Sequence, residues 1–191
     1  MRIQTPFRAN YEIESPPQLP SSGAGVVYFP PVHPGEGRIY EERLKFTHLG
    51  QPTWYGVFAT QFREGLSLVS TLPNPEWCCV SSVGTGYLLN VGRPEEWHAV
   101  PVSPVLHVTI VNEPQLLLLN CFTRIVAYGN EGKRWMTDSL CSDELKVVAV
   151  KGDMVECTGW DAATGDEILL RLDLASGKWR RRRHRIGKGA Q

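Results

Sequence analysis

The sequence has no long apolar run. Its longest runs are of four residues, as in Leu116 to Leu119, which ends at Asn120. That is far short of the ~18–20 consecutive apolar residues a membrane helix needs, so no transmembrane segment is expected. The opening MRIQTPFRANYEIESPPQLP has no apolar stretch of the kind a signal peptide carries. Cysteine is scarce. Five occur, Cys78, Cys79, Cys121, Cys141 and Cys157; the number is odd, two are adjacent and no CxxC spacing exists. This pattern argues against a disulfide framework and against the closely spaced ligand pairs of a closed zinc site. The cysteines are expected to act as small buried hydrophobes, in a reducing, cytoplasmic setting. An excess of one charge is also missing, since twenty Lys and Arg balance twenty Asp and Glu. With 42% apolar and 21% charged residues, the composition is that of an ordinary globular protein and not of a disordered chain.

What is present is strand signal. From Trp54 onward, short runs rich in Val, Leu, Ile, Trp and Tyr alternate with turn signals such as REG, LPNPE, GTG, GRPEE and GNEG. Joints this short exclude crossover helices and imply antiparallel meanders. The stretch RIYEERLKFTHLG is read as strand, because Leu44, Phe46 and His48 alternate. Three hairpins are expected: at Gly152-Asp153, through Asn130 and Gly132, and at Ser176-Gly177, where Gly177 is free to take positive φ. Before the last of these, Ile168, Leu170, Leu172 and Leu174 share a face that should be buried, and Glu167, Arg171 and Asp173 share a wet one. Residues 1–25, with three prolines and two glycines in SPPQLPSSGAG, are expected as an extended, mobile arm. The predicted organisation is this arm, a single all-β domain over 26–177, and a basic tail over 178–191.

The stretch WDAATGDEILLRLDLASGKW holds two Asp–small–Thr/Ser–Gly turns, at Asp161–Gly165 and Asp173–Gly177. Together with RIVAYGNEGKRWMT, it resembles the turn grammar of β-propeller repeats. In the D-x-x-T/S-G-x-x-x-W element, Asp173, Ser176 and Gly177 match, and Trp179 comes two residues early. The likeness covers roughly residues 115–180. No steady 40–50-residue period runs through the chain, as a closed propeller would require. The expected fold is therefore all-β, with little helix: antiparallel meanders in two layered sheets, or an incomplete propeller-like barrel.

Candidate chemistry concentrates in EEWHAVPVSPVLHVTIV. If Pro101–Pro104 is a hairpin loop, Val100 pairs with Val105, His98 faces His107 and Glu96 faces Thr109. Directly opposed side chains have Cβ atoms ~4.5–5.5 Å apart, close enough to share a proton or a metal. The plainer reading is an exposed histidine pair on a sheet surface. No nucleophile is convincing: Ser81 and Ser82 lack a G-x-S-x-G setting, and Cys78-Cys79 should point one in and one out. Gly84–Gly86 lacks the lysine and helix of a phosphate loop. No cofactor is expected.

Six tryptophans, Trp54, Trp77, Trp97, Trp135, Trp160 and Trp179, read either as core between sheets or as an aromatic ligand strip. The end of the chain is basic: Lys178, Arg180, Arg181, Arg182, Arg183, Arg185 and Lys188 are seven positives without an acid. Thirteen basic groups then face twenty acids elsewhere, so the body is acidic. The basic run is either a solvated tail or a partner-binding surface for an anionic polymer or nucleic acid. Three functions follow from these features. The first is a non-catalytic binding or protein-interaction module, with a homodimer as one outcome of its unpaired edge strands. The second is a metal-assisted hydrolase acting through Glu96, His98 and His107. The third is a nucleic-acid-associated protein acting through its arginines.

Overall fold

The computed structural model describes residues 1–16, 18–22, 25–31 and 39–182, and among them there is no helix. The fold is all-β, in four layered sheets, none closed into a barrel. Sheet I contains β2 (Tyr11–Glu14), β3 (Val26–Phe29), β4 (Ile39–His48) and β5 (Trp54–Thr60), in the order β2-β4-β5-β3. Sheet II is the meander β6 (Leu68–Thr71), β7 (Trp77–Ser82), β8 (Thr85–Asn90) and β9 (Arg93–Ala99), with β1 (Arg2–Gln4) added beside β6. Sheet III is the meander β10 (His107–Val111), β11 (Leu116–Asn120), β12 (Ile125–Gly129) and β13 (Gly132–Met136). Sheet IV is the meander β14 (Asp143–Lys151), β15 (Met154–Asp161), β16 (Asp166–Asp173) and β17 (Trp179–Arg182).

The sheets stack face to face in chain order, and the periodicity of the sequence shows why. In the strand LLLLN, Leu117 and Leu119 point to sheet II and Leu116 and Leu118 point to sheet IV. A strand covered on both faces needs apolar side chains at every position, so the alternation disappears. Sheets I and II enclose an aromatic core: Phe29 stacks on Phe58 at 4.9 Å and Phe46 on Trp54 at 4.4 Å. The Trp54 indole there donates to the Val91 carbonyl at 2.9 Å. Between sheets III and IV, Ile168, Leu170, Leu172 and Leu174 are buried as their spacing implies. Each contributes about 1.5–3 kcal/mol by leaving water. The sheets number four, where two layered sheets or an incomplete propeller-like barrel were expected.

The three predicted hairpins form. Lys151 pairs with Met154, Gly129 with Gly132, and Leu172 with Trp179. Gly177 has φ +68°, and its turn is held by Asp173, whose carboxylate accepts from the Ser176 amide at 2.8 Å and the Ser176 hydroxyl at 2.6 Å. β4 is a strand, as its alternation implied.

Two boundaries are corrected. Residues 1–14 are not a loose lead-in: β1 pairs parallel with β6 and β2 antiparallel with β4. Phe7 between them is buried and exchanges two hydrogen bonds with Thr71. At the other end the predicted tail begins inside a hairpin, because Trp179–Arg182 is the edge strand β17 paired with β16. The Pro/Gly loop expected after Phe29, and Arg183, Arg185 and Lys188, fall largely or wholly outside the described residues.

Candidate functional site

The histidine pair does not form. Residues 100–106 do not close a hairpin; they carry the chain from sheet II to sheet III. His98 lies beside Leu88 in sheet II, and His107 beside Asn120 in sheet III. Glu96 binds Arg93 in a salt bridge and accepts from the Asn90 amide at 3.3 Å. His107 lines a shallow cleft of about 360 Å³ with Lys146 instead. Among the described residues no three His, Cys, Asp or Glu side chains gather to hold a metal.

Among the described residues, the serine and cysteine candidates are not set up as nucleophiles either. Ser81 and Ser82 are buried, and their hydroxyls donate to the Leu66 and Phe58 carbonyls. Cys78 and Cys79 are both buried, contrary to the one-in, one-out expectation, because sheet II is covered on both sides. Burial raises both thiols, Cys79 to about 12, so neither supplies thiolate.

His98 nevertheless belongs to a site. The register Cys79–Leu88–His98 across β7, β8 and β9 places these three on the face toward sheet III. Trp77, two residues before Cys79, shares that face, and its ring lies parallel to the His98 ring with centroids 5.7 Å apart and planes at 6°. From sheet III, β12 and β13 present Tyr128 and Lys133, which are direct cross-strand partners. These elements bound a cleft of about 480 Å³ lined by Leu72, Trp77, Leu88, His98, Tyr128 and Lys133. At its mouth, Asn74 ties the sheets together by donating to the Asn130 carbonyl at 2.9 Å.

Two polar groups of the cleft, on Tyr128 and Lys133, are uncommitted among the described residues. Tyr128 is only 5% exposed, and no described residue hydrogen-bonds to its hydroxyl. Burial, and secondarily Cys79, raises its pKa far above the ordinary phenol value, so it is a neutral donor. Leaving a buried hydroxyl unsatisfied costs about 1–3 kcal/mol. Lys133 is exposed and has no acidic partner among the described residues, since the nearby Glu131 pairs with Arg134 at 3.5 Å. Sequence reading found the Asn130–Gly132 turn but missed its consequence. A turn joining Gly129 to Gly132 sets Tyr128 beside Lys133 on one face, and that pairing could have been counted out from the turn.

The tryptophans divide. Trp54 and Trp135 are core, Trp77 and Trp97 are half-buried, and Trp160 and Trp179 are exposed. Of the basic run, Arg181 pairs with Asp161 at 2.7 Å, while Arg180 sits opposite Arg171 on the outward face of sheet IV. Arg171 is matched by Glu156 at 2.8 Å, and Lys178 is exposed beside the turn. Arg182 continues the edge strand. No helix among the described residues is long and apolar enough to cross a membrane. No family model matches the chain, and no curated protein matches it in sequence.

Proposed function

We propose that this protein is a non-catalytic recognition module whose ligand enters the cleft between sheets II and III. The observation that carries this reading is the buried, unpartnered Tyr128 hydroxyl in the wall of a half-open apolar cavity. Binding sites are typically apolar clefts of ~300–1,000 Å³ with a few placed polar groups, and this one has that size and make-up. The scaffold around it is rigid sheet on both sides, tied at the mouth by Asn74, which suits recognition of a preformed shape.

The reading is tested by a fragment screen observed by protein NMR. Hits should move the Trp77 indole and the amides of Tyr128 and Lys133, and Trp77→Ala should abolish them while the remaining spectrum stays dispersed. A diverse collection that perturbs none of these signals would remove the cleft as a recognition site.

A second reading rests on Arg180 facing Arg171. Arg171 is neutralised by Glu156 and Lys146 pairs with Glu144, so Arg180 is the group on this face with no ion pair among the described residues, and it is the one an anionic polymer would meet. Retention on a polyanion column that falls with salt, and falls further in Arg180→Glu, supports it. Unchanged retention of that variant counts against it.

A further inference from the structure

We infer that the cleft takes an aryl group carrying a carboxylate, with the ring against Trp77 and the carboxylate between the Tyr128 hydroxyl and the Lys133 ammonium. This rests on the recognition reading above and names its ligand class. Three features of the cleft select that chemistry. The wall formed by Trp77, with His98 parallel to it, is a flat aromatic surface, so it favours a planar ring over a branched aliphatic group. The Tyr128 hydroxyl has no protein acceptor, and a purely apolar ligand would leave it unsatisfied. Lys133, opposite Tyr128 in the ladder, forms no ion pair among the described residues, and Glu131, the one acid in the cleft lining, is paired with Arg134 at 3.5 Å.

The same features disfavour the alternatives. A cationic ligand would gain from the Trp77 face but would meet the unpaired Lys133 ammonium. A phosphate calls for a denser set of donors, such as a guanidinium fork or a cluster of amides. One ammonium and one hydroxyl match the two oxygens of a carboxylate. Asn74 is already committed, donating to Asn130 and accepting from the Glu76 amide, so it adds no donor. The ring-plus-carboxylate group can be a free small aromatic acid or the C-terminal aromatic residue of a polypeptide.

The test is an NMR titration of the full chain with 3-phenylpropionate, 3-phenylpropionamide and butyrate, and with acetyl-Ala-Ala-Phe as free acid and as amide. The acid should bind about tenfold tighter than either the neutral amide or butyrate, a factor typical of one charge-assisted contact. Its shifts should centre on Trp77, Tyr128 and Lys133. Lys133→Met, at an exposed position, should equalise acid and amide while ring binding persists. Tyr128→Phe should weaken the acid several-fold. A peptide acid tighter than 3-phenylpropionate points to a polypeptide terminus, and a weaker one to a free acid. Equal binding of acid and amide by the wild-type chain, or an acid preference that survives Lys133→Met, overturns the ligand class. If other fragments still occupy the cleft, the recognition reading stands without it; if nothing does, both fall.

Discussion

Cys78 and Cys79 are neighbours in β7, yet they belong to different cores. Cys78, fully buried, packs between sheets I and II, and Cys79, 3% exposed, packs between sheets II and III. Sheet II is thus an interior layer. Burial pushes the Cys78 thiol well up and Cys79 to about 12, and in sheet IV it lifts Cys157 to about 12. Cys141 is also raised but is the only half-exposed cysteine of the five. Alkylation of the native protein near pH 8 should therefore label Cys141 first and slowly, with the other four following only on unfolding. Early labelling of Cys79, read by peptide mass analysis, would contradict the interior placement of sheet II.

Val83 should be improvable. It occupies the β7–β8 turn with φ +48°, followed by Gly84 at +85°. Left-handed backbone costs an ordinary L-residue roughly 1–2 kcal/mol, and a β-branched side chain suits it least. Asn tolerates that conformation. Val83→Asn is expected to raise unfolding stability by about 1 kcal/mol, visible as a higher urea midpoint at unchanged slope. A loss of stability would show that packing of the half-buried Val83 side chain outweighs the strain.

Where the sequence was legible, the deciding interactions were local. Gly152, Gly132 and Gly177 mark turns whose geometry depends on a few adjacent residues, and the alternation of Ile168, Leu170, Leu172 and Leu174 describes one strand's face. Where it misled, the deciding partner lay far along the chain. Arg2 pairs with Leu68 and Tyr11 with His48, and nothing within residues 1–14 announces those partners. The two prolines at 101 and 104 read as a hairpin loop, yet the segment changes sheets, so His98 and His107 part. The aromatic wall of the cleft was equally hidden, since Trp77 and Tyr128 line one cleft from two different sheets, a juxtaposition that no local pattern encodes. The count of layers was missed for a related reason. LLLLN and WCCVSS carry no alternation, because both their faces are covered.

Acid should loosen the N-terminal attachment. Glu76 accepts from the Asn10 amide and hydrogen-bonds the His48 ring at 2.8 Å. These contacts, Asn10 first, hold its carboxyl below the ordinary value. Folded Glu76 therefore binds its proton at lower pH than the unfolded chain does. Its contribution is complete above the unfolded carboxylate pKa of about 4–4.5 and is lost as pH falls through the lower folded value. Glu76→Gln should flatten the acid limb of the stability–pH curve, measured by urea unfolding from pH 7 down to 3. An unchanged slope would mean that the contact is solvent-screened, as a carboxylate 39% exposed permits.

Phe7 should carry much of the grip of the first fourteen residues. Its ring is 6% exposed within the core between sheets II and III, and its backbone amide and carbonyl are both engaged by the Thr71 hydroxyl, at 3.1 and 3.0 Å. Phe7→Ala is expected to cost about 3–5 kcal/mol. It should also release β1, seen as faster amide exchange over Leu68–Thr71, because β1 is the outer neighbour of β6. Near-neutral stability of this variant would restore the picture of a loose arm.

Tyr128→Phe gives the sharpest contrast between folding and function. Removing a hydroxyl that has a partner normally costs about 1 kcal/mol, and removing one left unsatisfied in the interior costs nothing or gains up to a comparable amount. The Tyr128 ring belongs to the same core as Cys79, Leu117 and Val126, and Phe keeps that ring in place. The variant should therefore be at least as stable as the wild type in urea while losing affinity for a carboxylate-bearing ligand. Stabilising substitutions that weaken function are the pattern expected where a polar group is held ready for a ligand. A clear loss of stability in Tyr128→Phe would mean that the hydroxyl already has a partner in the folded protein, and the argument for the cleft would lose its strongest support.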